Sequence, residues 1–113
     1  MADDCLFCRI VRGEIPATFV MQDERCVAFR DIDPKAPTHV VVIPREHVAS
    51  LDTASDARLL GDVLLFAAAV ARQEAIAERG YRVVLNTNAA SGQTVFHLHA
   101  HVLGGRAMGW PPG

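Results

Sequence analysis

The sequence predicts an α+β fold built from five strands, three before and two after a single long helix. Two observations carry this. Short runs rich in β-branched residues, bounded by turn residues, recur on both sides of residues 55–79. That stretch itself shows apolar residues at helical spacing. Strands that flank one amphipathic helix suggest a sheet with the helix laid over one face.

The elements follow in order. Residues 4–12 read as a short helix whose apolar set is Leu6, Phe7, Ile10 and Val11, ended by Gly13 and Pro16. Strands are expected over 19–22 and 26–29, around the polar turn Asp23-Glu24-Arg25. Residues 31–37 hold Pro34 and Pro37 and read as a loop. The run 39–43 reads as a strand stopped by Pro44. Over 55–79, Leu59, Leu60, Val63, Leu64, Phe66, Ala67, Val70, Ala71 and Ile76 form the apolar stripe. Thr53 and Asp56 suit a loose capping box, and Gly80 suits the C′ position. The last strands are expected over 81–86 and 96–103, joined by a loop of small polar residues.

A chain of 113 residues, half of them hydrophobic, suits one domain over 1–113 with one core. A net charge of −2 supplies no basic field for nucleic acid, so a bound nucleotide has to be held by local groups. No signal peptide or membrane-length apolar run is present. Three cysteines, an odd number, argue against a disulfide framework and favour a reducing, cytoplasmic setting.

The chemistry concentrates in His97-Leu98-His99-Ala100-His101. In an extended chain the three imidazoles share one face, about 6.6 Å apart, and Phe96, Leu98, Ala100 and Val102 take the other. Imidazole changes charge near neutral pH and can act as a nucleophile. A zinc grip by His-x-His is the rival reading from spacing alone. Just upstream, Gly92 lets backbone N–H groups approach an anion while Gln93 and Thr94 add side-chain donors, a candidate phosphate cradle. The glycine-rich signatures of NTPases and dinucleotide folds are absent.

These residues carry a family resemblance. His-Leu-His-Ala-His-Val-Leu resembles the His-φ-His-φ-His-φ-φ signature of the histidine-triad (HIT) superfamily, φ being hydrophobic. Asp31-Ile32-Asp33-Pro34, Pro37-Thr38-His39, Val42-Ile43-Pro44 and Glu46-His47 resemble its first half, and the ending from Leu103 to Gly113 resembles the Hint branch. The resemblance implies a five-stranded antiparallel sheet with one long and one short helix. It also implies a homodimer with a ten-stranded sheet and a nucleoside phosphoramidase activity that needs no cofactor for catalysis. By the same resemblance His99 is the nucleophile on the α-phosphorus and His101 lies against the phosphate and assists the leaving group. His39 lines the site, and with His97 completes the catalytic set. Gly92, Gln93 and Thr94 hold the phosphate and leaving-group side; the pattern usually has serine where Thr94 stands. Asp31 bonds the ribose hydroxyls, Leu6, Phe7, Ile10, Ile15, Phe29 and Ile32 clamp the purine, and Asn86 lies near the sugar–phosphate. For Asn86 an amide that satisfies a strand end is an equal alternative, and the six apolar residues also read as core.

Cys5-x-x-Cys8 with His47 supplies three ligands suited to structural zinc. Some bacterial members of the superfamily bind zinc this way, which implies His97 as the fourth ligand; buried thiols are the alternative. Cys26 reads as a passive buried residue. The nucleotidyltransferases of the superfamily have glutamine at the third histidine, so His101 favours water as final acceptor. Dinucleoside polyphosphate hydrolysis of the Fhit type, a nucleotide-binding interaction protein and a metal-dependent hydrolase are the other readings. The tail at 108–113 resembles the segment that reaches toward the partner's site in Hint dimers.

Overall fold

The structure, a computed structural model, describes residues 4–113; the polar start at residues 1–3 lies outside them. Five strands, β1 (Phe19–Gln22), β2 (Cys26–Arg30), β3 (Thr38–Pro44), β4 (Arg82–Val84) and β5 (Ala100–Gly104), form one sheet in the order β1-β2-β3-β5-β4. Every neighbouring pair is antiparallel. Helices α1 (Leu6–Val11) and α2 (Ala57–Gln73) complete the α+β architecture. Among the described residues no helix is long and apolar enough to cross a membrane.

Side-chain alternation along the strands divides the interior in two. Cys26 and Ala28 of β2, Val40 and Val42 of β3, and Leu98, Ala100 and Val102 face α2, where Val63, Phe66, Ala67, Val70 and Ala71 close the core. Val27 and Phe29 of β2 with Val41 and Ile43 of β3 face the other way, against Phe7, Cys8 and Ile10 of α1. The tight β1–β2 turn is held by the Asp23 carboxylate, which accepts from the N–H groups of Arg25 at 2.8 Å and Cys26 at 2.7 Å. Cys26 is buried, and burial pushes its thiol up to about 11, which keeps it protonated and inert.

Several boundaries differ from the sequence expectation. Helix α2 begins at Ala57 and stops at Gln73 rather than running over 55–79. Asp56 alone caps it, accepting from the N–H groups of Arg58 and Leu59; the Thr53 hydroxyl turns back to the Ser50 carbonyl, so no capping box forms. Just past the C-cap Glu74, Ala75, with φ 60°, reverses the chain in place of the expected Gly80. Ile76 nevertheless packs in the α2 core, which is why the apolar period runs past the true end. Strand β4 is shorter than 81–86, and β5 begins at Ala100 rather than at residue 96. Phe96 is half exposed.

Two glycines mark close approaches. A Cβ on Gly104 would stand 2.6 Å from Ile76 Cδ1, and one on Gly105, where φ is +87°, would stand 2.9 Å from Pro37 Cβ. The chain leaving β5 therefore lies directly on the loop between β2 and β3.

Candidate active site

The histidine segment is extended but only its last member sits in the β5 ladder. Ahead of it, the Leu98 N–H donates to the Val48 carbonyl at 2.6 Å, so residues 97–99 are held by the loop after β3. Alternation survives: Leu98 and Ala100 enter the α2 core, and the three imidazoles take the α1 face. His97 and His99 are buried and His101 is partly open.

The hydrogen bonds define which nitrogen of each ring is bare. The His99 Nδ1–H donates to the His97 carbonyl at 2.8 Å, which leaves the lone pair on Nε2. The His97 Nε2–H donates to the Pro44 carbonyl at 2.8 Å, which leaves its lone pair on Nδ1. His39 Nδ1 accepts the Lys35 N–H at 3.0 Å, so its proton is on Nε2, which donates to His101 Nδ1 at 2.9 Å. His101 consequently carries its proton on Nε2. Asp31 Oδ2 lies 3.4 Å from His39 Nε2 and 4.0 Å from His101 Nδ1, and the other carboxylate oxygen accepts the Asp33 N–H.

Burial lowers the pKa of all these rings. His101 falls to about 4, chiefly by burial and then through its neighbours His99 and His39. His97 falls to about 4, with the Pro44 hydrogen bond opposing burial. His99 is lowered by burial against the opposing pull of the His97 carbonyl and Asp31, and His39 by burial against Asp31. At neutral pH the unliganded site is a set of uncharged imidazoles with fixed tautomers.

His99 and His101 line a cavity of about 390 Å³ together with Asp31, Thr94 and all six expected clamp residues, Leu6, Phe7, Ile10, Ile15, Phe29 and Ile32. That volume lies in the range of small-molecule sites. Phe7 packs edge-on against His99 and Phe29, at centroid separations of 5.1 and 5.4 Å, and so joins the apolar wall to the imidazoles. Pro16, Ala17, Arg30, Val41 and Val95 also line it and were not singled out from the sequence. Val41 could have been, since it stands two residues from His39 on the same strand face. His39 is buried behind His101 rather than on the wall.

Three expected ligands do not line this cavity. The Gln93 side chain is buried and committed: its amide donates to the carbonyls of Ala49 and Val95 and its oxygen accepts the Asn88 N–H. The Asn86 amide donates to the Ser91 carbonyl at 2.7 Å, and Gly92, at φ 96°, closes the turn Ala89–Ser91. These residues shape the loop that presents Thr94.

A second cluster lies behind the first. Cys5, Cys8, His47 and His97 bring four ligand atoms within 4.8 Å of one another. Cys5 Sγ is 3.4 Å and Cys8 Sγ 3.5 Å from His97 Nδ1; His47 Nδ1 is 3.3 Å from Cys8 Sγ and 3.2 Å from His97 Nδ1. A tetrahedral zinc with N and S ligands has edges of about 3.3–3.8 Å, from bond lengths of about 2.0–2.3 Å. The bare Nδ1 of His97 and the N/S donor set therefore fit a structural zinc.

Comparison with known proteins agrees with this geometry. The family model of the HIT domain matches residues 12–108. The purine nucleoside phosphoramidase of Escherichia coli strain K12 is 46% identical, across 96% of this chain and 93% of its own. An uncharacterized HIT-like protein of Synechococcus elongatus is 52% identical over the full length of both. The crystal structure of a HIT family hydrolase from Legionella pneumophila superposes with a TM-score of 0.94 at 50% identity, over 97% of this chain and all of that one. A fold, an ordered set of histidines and relatives that agree along nearly the whole length lead to one conclusion: the chain belongs to the HIT family.

Proposed function

We propose that the protein is a hydrolase of purine nucleoside 5′-phosphoramidates that works through a nucleotidyl-histidine intermediate. The observation that carries this is His99: a neutral imidazole on the wall of an apolar cavity, its Nδ1–H bound to the His97 carbonyl and its Nε2 lone pair free. The relative from Escherichia coli named a purine nucleoside phosphoramidase supports the reading.

In the first step His99 Nε2 forms a bond to the α-phosphorus and the P–N bond breaks. The amine departs with the proton it already holds in the zwitterionic form in which phosphoramidates react. Water then attacks the same phosphorus and the P–Nε2 bond breaks; one water proton stays on the nucleoside monophosphate, the other passes to His99 Nε2 and from there to solvent, and the monophosphate leaves. His101 presents Nε2–H to the phosphoryl oxygens beside the leaving amine as an uncharged donor, where positioning and electrostatics dominate. Asp31 accepts from the ribose hydroxyls, and the purine enters between Phe7, Ile10, Phe29 and Ile32. Acid-stable trapping is not available for a phosphohistidine, so the intermediate is sought by alkaline quench and mass measurement. A nucleotidyl adduct on His99 is expected with an adenosine phosphoramidate. Faster turnover of diadenosine polyphosphates than of phosphoramidates would overturn the substrate class.

Zinc held by Cys5, Cys8, His47 and His97 would be structural, tying α1 to the chain before His99. The site would then need no metal for chemistry. The homodimer belongs to the same proposal. Strand β4 pairs only with β5 and leaves a free edge, and Leu64 and Leu65 of α2 stand exposed. Two-fold pairing of β4 edges would give a ten-stranded sheet and cover those leucines, with the 108–113 tail and its exposed Trp110 near the partner's site. Light scattering at micromolar concentration is expected to give the dimer mass; a monomer mass would overturn it.

A further inference from the structure

The C-terminal segment is tied through Lys35 to the histidine pair His39 and His101. Gly105 rests against Pro37, which brings Arg106 over the loop 31–37. One Nη of Arg106 donates to the Lys35 carbonyl at 3.1 Å and the other to the Ala107 carbonyl at 3.2 Å. The same residue, Lys35, donates its N–H to His39 Nδ1, and His39 donates to His101. Three hydrogen bonds thus join an exposed guanidinium to a histidine on the cavity wall. Arg106 makes no ion pair among the described residues; it bonds only backbone oxygens. The loop has need of such a tie, since Pro34 and Pro37 contribute no N–H to it.

The link matters because the two histidines have two mutually exclusive hydrogen-bond states. With the Lys35 N–H on His39 Nδ1, the His39 proton sits on Nε2 and His101 presents Nε2–H outward. Without it, His39 can carry its proton on Nδ1 and accept from His101 Nδ1–H. His101 would then turn a lone pair toward the phosphoryl oxygens, an acceptor facing an anion. We propose that Arg106 is a positioning residue for the hydrolysis: by anchoring Lys35 through its carbonyl it keeps the N–H of the same residue on His39 and selects the state in which His101 is a donor. This rests on the hydrolase reading above. Arginine suits the task because its planar fork spans two carbonyls, whereas an ammonium can keep one of them.

The test compares wild type with Arg106→Met and Arg106→Lys, using histidine tautomers read from long-range ¹H–¹⁵N correlation spectra without substrate, and steady-state kinetics on an adenosine phosphoramidate. Wild type should show Nε2–H on both His39 and His101. Arg106→Met should show mixed tautomers and lose about tenfold or more in kcat with KM little changed, a fraction of what removal of one transition-state donor costs. Arg106→Lys should restore the tautomers and most of kcat, since it can still hold the Lys35 carbonyl. Wild-type tautomers in Arg106→Met, or a kcat loss without a tautomer change, would overturn the proposal. Arg106 is exposed, so folding is not at stake; Arg106→Ala is the second variant with the same expectation. The spectra need no substrate, so inactivity of the wild type toward phosphoramidates would sink the hydrolase reading and leave the tautomer result to stand by itself.

Discussion

The two faces of the sheet are built from the same strands and do opposite work. On the α2 face, Ala28, Val40, Val42, Leu98, Ala100 and Val102 pack together in one apolar cluster. On the α1 face, the residues between them, Val41 and Ile43 with His39, His97, His99 and His101, are shared among packing, hydrogen bonding and a cavity. Neighbours in sequence therefore belong to different economies. Leu98 lies between His97 and His99, yet it packs in the α2 core and does not line the cavity. A β-segment can carry stability on one side and chemistry on the other because a residue shift of one exchanges the faces.

The sharpest break is His99→Ala. It should lower phosphoramidate turnover by about 10³-fold or more while adenosine monophosphate still binds, because the apolar walls and Asp31 remain; near-normal turnover by the folded variant would end the covalent mechanism. Its counterpart one residue away is Leu98→Ala. Loss of a buried leucine should cost about 2–5 kcal/mol of stability, seen in denaturant unfolding, with kcat per folded molecule close to wild type. If Leu98→Ala struck kcat harder than stability, the separation of the faces would fail.

The thiol cluster sharpens the comparison on the α1 face. Protein prepared without chelator should contain about one zinc per chain, and its removal should lower the melting temperature more than it lowers kcat at a temperature where both forms are folded. No metal, with Cys5 and Cys8 freely titratable, would make them packing residues. The effect of pH is smaller and has a definite sign. Burial lowers the His99 pKa below the ordinary 6.5, so the nucleophile stays neutral in mild acid and turnover should hold below pH 6.5 before it declines. In metal-free protein, stability should fall as pH drops from about 6.5 toward about 4, because unfolded histidines bind protons there that His97 and His101 do not. An acid limb of kcat/KM at or above 6.5 would contradict the burial of His99. The smallest effect is expected from deletion of 108–113, which should change the ranking of amine leaving groups more than the fold.

Much of this site was legible because alternation is a local property. Three histidines at alternate positions could be assigned a common face without any tertiary knowledge, and the six apolar clamp residues line one cavity as expected. What failed depended on contacts distant in the chain. The 96–103 strand was read too long because residues 97–99 are extended yet bonded to Val48 rather than to a strand. Helix α2 was read too long because Ile76 keeps the apolar period after Ala75 has turned the chain. The side chain of Gln93, read as a candidate phosphate ligand because it is polar beside glycine, makes three hydrogen bonds to Ala49, Asn88 and Val95 that the sequence does not announce. The backbone partners that orient the histidines could not be read at all. Pro44 and His97 offer carbonyls and Lys35 an N–H, all backbone groups, and every residue type supplies the same carbonyl and all but proline the same N–H.

That last fact gives position 97 an unusual freedom. The imidazole of His97 belongs to the thiol cluster, while its carbonyl holds the His99 ring. The first can be exchanged; the second is present in all twenty amino acids. Cys5, Cys8, His47 and His97 could be rewritten together as a well-packed hydrocarbon corner, and the hydrogen bond that aims His99 would still be encoded. The side-chain cluster and the orientation of His99 are separately inheritable traits that happen to meet in one residue.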